Sequence, residues 1–211
     1  MADPPLDLLT RMTRLICHSV ADGCGITVLF RGQPVTVAYS SELASLGDEL
    51  QYTTDAGPCL QALESQTVVE CHDLAEERRW GRYPAAAMGC GMRSILSLPI
   101  DAAGAGHGAL NLYSRTAHGF DEQDLRRGLE FAQIMSGILA AARAVERSGA
   151  AEQWQRALQR RTAVAQAVGI LMARHGCDRE RAFALLMQCR EDGEDLHAAA
   201  TRIGAGLGRS D

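Results

Sequence analysis

The chain has 211 residues, 46% hydrophobic and 22% charged, with a formal net charge of -5. This length holds one large or two small domains, and the composition is that of a soluble globular protein. The acidic balance excludes nucleic-acid binding by bulk attraction, so any such binding needs a local patch.

No run of about 18 apolar residues marks a membrane span. The N-terminus, MADPPLDLLTRMTRL, lacks an apolar core followed by a small-residue cleavage site, so a cytoplasmic location is expected. All 21 basic residues are Arg. The seven Cys, at 17, 24, 59, 71, 90, 177 and 189, form no CxxC pair, which argues against a zinc ribbon or a disulfide scaffold.

In chain order, Leu6 to Val20 carries Leu8, Leu9, Met12, Leu15 and Ile16 at helical spacing. CGITVLFR and PVTVAYS then read as two strands of a hairpin turning at Gly32-Gln33. From Ser41 to Ala62 the composition is polar and small, with Gly57-Pro58 opening a short helix over Cys59 to Leu63. TVVECHDL is a third strand, and EERRWGRYPAAAM a helix or irregular cap bearing Trp80 and Tyr83.

Met92 to Ile100, with Pro99 near an edge, and His107 to Ser114 are two further strands around a turn containing Gly104, Gly106 and Gly108. Five strands with helices at both ends predict an antiparallel α+β sheet with its helices segregated to one face. The string GPCLQAL, then RW, GMRSILSLPI, GALNLYS and AHGFDEQD, over roughly residues 7 to 143, resembles a GAF domain. With its long C-terminal helix this sensor domain is placed at 7–147.

A long helix starts after Asp121. Phe131, Met135, Ile138, Ala142 and Val145 form one coiled-coil seam; Trp154, Leu158, Arg161, Ala165, Val168 and Met172 form another, out of phase with it. The register breaks at Ser148-Gly149, as a stutter or a hinge. Arg160 to Arg174 continues as helix until Gly176 stops it, Asp178 caps a second helix from Arg179 to Leu186, and His197 to Ile203 makes a third.

AQAVGILMARHGCDRERAFALL resembles the core of the ANTAR domain, a three-helix RNA-binding module of bacterial transcription antiterminators, here assigned to 148–211 with the coiled-coil continuation. The resemblance implies a signal-responsive homodimer, joined through the long helix, that binds hairpin RNA in leader transcripts. It also implies that the small A-x-G element, matched by Gln166, Ala167 and Gly169, approaches an RNA loop closely.

Arg156, Arg160 and Arg174 fall on one helix face, and a guanidinium can bridge phosphates and stack on a base. His197, Thr201 and Arg202 are the polar candidates of the third helix. Val168 stands where many relatives carry a Lys, and Glu191, Asp192, Glu194 and Asp195 precede the last helix. Residues 151–211 hold nine Arg against eight acids, 9 - 8 = +1.

In the GAF-like part, Cys59, Trp80, Tyr83, Arg93 and Asn111 are the candidate ligand-pocket residues. Arg93, opening an apolar strand, needs a carboxylate partner or an anionic ligand. Cys59 at a helix N-terminus is placed for a lowered thiol pKa, although an inert packed thiol is the common case. Adjacent Cys71 and His72 point to opposite faces of a strand, so no zinc site, and indeed no metal, catalytic residue or cofactor, is expected. Two alternatives remain: a degenerate C-terminal module that mediates protein contacts, favoured by the acidic segment, and a methionine sulfoxide reductase using Cys59, Cys71 and Cys90.

Overall fold

The structure, a computed structural model, describes residues 4–101, 107–144 and 150–206. It divides into two compact units, Met1–Gln155 and Arg156–Asp211.

The first unit is a five-stranded antiparallel sheet ordered β2-β1-β5-β4-β3. Its strands are β1 (Gly23–Phe30), β2 (Gln33–Tyr39), β3 (Val69–Cys71), β4 (Ser94–Asp101) and β5 (His107–Ser114). The helices are α1 (Pro4–Val20), α2 (Glu42–Thr54), α3 (Pro58–Ser65), α4 (Tyr83–Gly89) and α5 (Glu122–Ala144). They cover both faces of the sheet, a correction to the one-face arrangement expected from the element order. The reason is visible in β1 and β5, whose residues are buried almost without alternation, so each face needs cover.

Cross-strand partners share a face. One face presents Ile26, Val28, Leu96, Leu98, Ile100, Leu110 and Leu112, all buried. α5 packs there: a methyl on Gly128 would meet Leu98 Cδ1, and Ala132, Met135 and Leu139 continue its buried side. The opposite face is polar or small, with Gly25, Thr27, Asn111, Tyr113 and Ser97. α2 and α3 cover it.

α2 is absent from the sequence reading, which saw Ser41 to Ala62 as polar connection. Residues 43–53 are all buried, so the helix has no polar face to alternate with its apolar one and leaves no amphipathic signature. The third strand is shorter than TVVECHDL suggested, and Asp121 caps α5 as expected, accepting from Gln123 N and Asp124 N at 2.7 and 2.9 Å. Pro99 sits on β4 beyond the end of β3, where its missing N–H costs no ladder bond.

Three helices form the second unit: α6 (Ala150–His175), which begins in the first unit, α7 (Arg179–Gln188) and α8 (Leu196–Ala205). Gly176, at φ 60°, stops α6 in the left-handed conformation that favours glycine. Asp178 and Asp195 cap α7 and α8 through Arg181 N and Ala198 N. Val145, the Ser148-Gly149 break, Gly104 and Gly106 lie outside the described residues.

Of the two seams, Met135 faces the sheet, while Phe131 and Ile138 are half-buried beside Ile134, which is 48% exposed. Trp154 is buried in the first unit, edge-to-face on Phe30 at 5.7 Å. Leu158, Arg161 and Met172 are half-buried, Ala165 exposed and Val168 buried.

Candidate functional site

The polar face of the sheet carries a connected interior network. Asp48, fully buried on α2, accepts from Tyr113 Oη at 2.5 Å, Asn111 Nδ2 at 2.9 Å and Thr36 Oγ1 at 2.8 Å. Tyr52, one turn further along α2, hydrogen-bonds Thr27 and Thr36 at 2.9 and 2.8 Å. Gln51 donates to Tyr113 Oη at 3.0 Å and accepts from Cys59 N at 2.6 Å, which ties the start of α3 to the network.

Glycine is required where these side chains cross the backbone: a methyl on Gly25 would sit 2.5 Å from Asp48 Oδ2, and one on Gly47 would enter the Tyr113 ring. Burial raises the Asp48 carboxyl to about 7, against the lowering effect of its three donors. Sequence reasoning missed Thr27, Thr36, Asp48, Gln51, Tyr52 and Tyr113. A signal existed, since Asp48, Gln51 and Tyr52 lie three and four apart on one helix side and Gly23, Gly25 and Thr27 of β1 and Ala109, Asn111 and Tyr113 of β5 are small or polar at every second position.

Of the expected pocket residues, Asn111, Cys59 and Tyr83 belong to this interior. Asn111 is fully buried, donates to Thr27 and Asp48, and keeps an unpartnered Oδ1. The Cys59 thiol lies within hydrogen-bonding reach of Thr27 and Asn111; burial pushes it far above the usual thiol range, which corrects the lowered value expected at a helix start. Burial, and then the nearby Asp48 carboxyl, outweigh the lowering effect of Thr27 and Asn111 and the partial charge of one short helix. Tyr83 is fully buried and its hydroxyl meets no partner among the described residues.

Trp80 covers Tyr83 edge-on at 6.4 Å and donates through Nε1 to Gln61 Oε1 at 2.9 Å. Arg93 is elsewhere: it makes a two-pronged bond to Asp73 at 2.9 and 3.0 Å, so the carboxylate that the sequence demanded is supplied internally. Cys71 is buried, its thiol raised to about 12 by burial and then by Glu77. His72 beside it is exposed and stacks on His118.

In the second unit, α6 buries Ala157, Val164, Ala167, Val168 and Leu171. Ala167 is thus core and presents nothing to a ligand, a correction to its place in the contact surface. The helix phase explains it: Ala167 lies halfway between Arg160 and Arg174, which stand about 21 Å apart along the axis, so the three-Arg face is interrupted by the module's own core. Val168 is likewise a core position.

The exposed side of α6 carries Gln159, Thr162, Gln166, Gly169 and Ala173 at spacings of three and four, uncharged and small. A methyl on Gly169 would meet nothing within 4 Å, so this glycine serves no internal packing. Gln166, Gly169, Ile170, Ala173, Arg174 and Gly204 line a groove of about 660 Å³. Arg156, Arg160 and Arg174 are exposed, and Arg160 and Arg174 have no side-chain partner among the described residues.

Arg202 differs. Its guanidinium bonds Glu194 at 2.8 Å and the Cys189 carbonyl at 2.7 Å, with Glu191 at 3.6 Å, so it is committed to closing the α7–α8 connection. This corrects its reading as an RNA-facing cation. Glu194 is held near 2 by Arg202, and Asp195 caps α8, which gives two of the four acids of the acidic segment internal work. His197 is half-buried in the first turn of α8, its carbonyl accepting from Thr201.

An antiparallel sheet with a polar interior face, followed by a three-helix module with an exposed small-residue groove, defines a sensor domain joined to a recognition module. The family model of the GAF domain matches residues 3–140 and that of the ANTAR domain matches residues 152–203, so the chain belongs to the GAF-ANTAR proteins.

Solved structures agree on the fold of the first unit. The GAF domain of a phosphoenolpyruvate-protein phosphotransferase from Coxiella burnetii is similar at 20% identity and a TM-score of 0.53, covering 68% of this chain and 87% of that one. A free methionine-R-sulfoxide reductase from Neisseria meningitidis is similar at 19% identity and 0.53, covering 67% and 81%. The type II enzyme from Thermoplasma acidophilum is similar at 17% and 0.51, covering 64% and 92%. Comparison with curated proteins finds no match.

The architecture is that of an RNA-binding antitermination regulator with a GAF sensor domain, on a fold that also occurs in reductases. No described helix is long and apolar enough to cross a membrane.

Proposed function

We propose that this protein is a cytoplasmic, homodimeric regulator that binds hairpin RNA in leader transcripts through the exposed side of α6 and promotes transcription antitermination in response to a small molecule sensed by its GAF domain. The observation that carries the RNA reading is Gly169: a helix-interior glycine costs about 0.8–1 kcal/mol relative to Ala, and this one is exposed with nothing packed on it. It opens the groove of Gln166, Ala173, Arg174 and Gly204 to close approach. Arg160 and Arg174 stand free to meet phosphate, with Arg156, one turn before Arg160, and His197 of α8 as further candidate contacts.

Dimerisation is supported by the half-exposed apolar residues Phe131, Ile134 and Ile138 on α5 and Leu158 and Met172 on α6. The protein-contact alternative is weakened because Glu194 and Asp195 are engaged within the module. The reductase alternative is weakened because Cys59 and Cys71 are buried and held protonated.

A gel-shift titration decides the matter, with a two-hairpin leader RNA against the same RNA with scrambled loops. Tight, loop-dependent binding is expected. Equal or absent binding removes the specific-RNA reading.

A further inference from the structure

The interior of the GAF domain is chemically one-sided. Among the described residues no Arg or His is buried, whereas Asp48 and Glu49 both are. Apart from Glu49, the groups around Asp48 are neutral: Thr36, Asn111 and Tyr113 donate to it, and Tyr52 and Cys59 stand nearby. Arg93, the cation a sequence reading would send inside, is held outside by Asp73.

Three fully buried polar atoms in this layer have no hydrogen-bond partner among the described residues: Asn111 Oδ1, Ser97 Oγ and Tyr83 Oη. Two of them are adjacent. Ser97 is directly opposite Asn111 in the β4–β5 register, on the same face of the sheet. Cys59 reaches Asn111, and Tyr83 lies within electrostatic range of Asp48. Buried polar groups without partners are costly, so three on one side of the sheet call for a partner.

Directly outside lies a groove of about 370 Å³ lined by Asp55, Gly57, Leu60, Gln61, Glu64 and Trp80. Its floor is the Trp80–Gln61 hydrogen bond, with Tyr83 beneath the indole. Asp55 and Glu64 make its rim acidic, and the one cation there, Arg79, is neutralised by Glu77.

We propose that the layer between Asn111, Ser97 and Tyr83, entered past Trp80, is a binding site for a small neutral or cationic hydrogen-bond donor and rejects anions. This rests on the reading of the GAF domain as a small-molecule sensor and gives that sensor a ligand class. An amide or amidinium edge offers N–H groups to Asn111 Oδ1 and the two hydroxyls, and a positive charge is favoured by Asp48 and the acidic rim. An anion brings a second negative group beside Asp48 with no cation to offset it.

Acetamidinium, acetamide and acetate are planar probes of one shape and three charges. Titrated into the full chain and followed by ligand-observed NMR, the first two bind and acetate binds at least about tenfold more weakly, an increment of about 1.4 kcal/mol. Tyr83→Phe and Ser97→Ala each delete a partnerless hydroxyl, so both variants fold. Each weakens acetamidinium binding about three- to tenfold, as expected for one lost hydrogen bond. Acetate binding as tightly as acetamidinium, and weakened alike by Tyr83→Phe, overturns the ligand class and leaves the sensor reading standing. If no probe binds the parent while both variants gain thermal stability, the layer holds water only, and the site and the small-molecule sensor fall together.

Discussion

Tyr113 donates its phenolic proton to Asp48 Oδ1 at 2.5 Å, joining the middle of the sheet to the helix that covers its polar face. Among the described residues no buried cation balances that carboxyl, so its charge is tolerated through three neutral donors.

Stability is expected to depend on pH through Asp48. Its folded pKa is raised from 3.8 to about 7, so the folded state holds a proton that the unfolded state has already lost. The favourable contribution is complete below pH 4, declines as pH rises toward 7 and is gone above it, a span of about 4 kcal/mol. Asp48→Asn keeps the shape and removes the titration. Denaturant unfolding between pH 4 and 8 should lose this slope in the variant, which should also be the more stable form at pH 8; an unchanged slope rules the assignment out.

Gly47 and Gly169 are both helix-interior glycines with opposite expected behaviour. Gly47→Ala drives a methyl into the Tyr113 ring and should destabilise the fold by about 1–3 kcal/mol. Gly169→Ala meets open space and should stabilise it by up to about 1 kcal/mol while weakening RNA binding. Thermal unfolding paired with gel-shift reads both signs.

Arg160→Ala and Arg174→Ala should each weaken RNA binding and reduce the salt slope by about one phosphate contact, with little change in stability. A salt slope unchanged by both substitutions would place the phosphate contacts elsewhere.

Arg202→Ala should do the reverse, loosening the α7–α8 connection and lowering the unfolding temperature of the second unit, because Glu194 and the Cys189 carbonyl lose their shared donor. Glu194 titrates low in the fold, so its contribution is present near neutral pH and fades as pH falls from about 4.5 toward 2. Circular dichroism melts at pH 3 and pH 7 should differ more in the parent than in Arg202→Ala.

What could be read from the residues alone was local. The strand runs, the Gly176 stop, the Asp121 and Asp178 caps and the order of the two modules follow from period, capping chemistry and motif, because these depend on neighbours a few positions away. α2 was illegible because burial on all sides erases helical alternation.

Long-range pairing decided the sites. Arg93 announced its need for a carboxylate, but only the fold brought Asp73 to it rather than a ligand. Arg202 and Ala167 looked like surface residues by motif, and became a clasp and a core residue once helix packing fixed which sides faced inward. Asp48 is more than sixty residues from Asn111 and Tyr113, and their shared polar interior exists only because antiparallel register puts β5 beneath α2. Composition and period are properties of a segment; a site is a property of which segments meet.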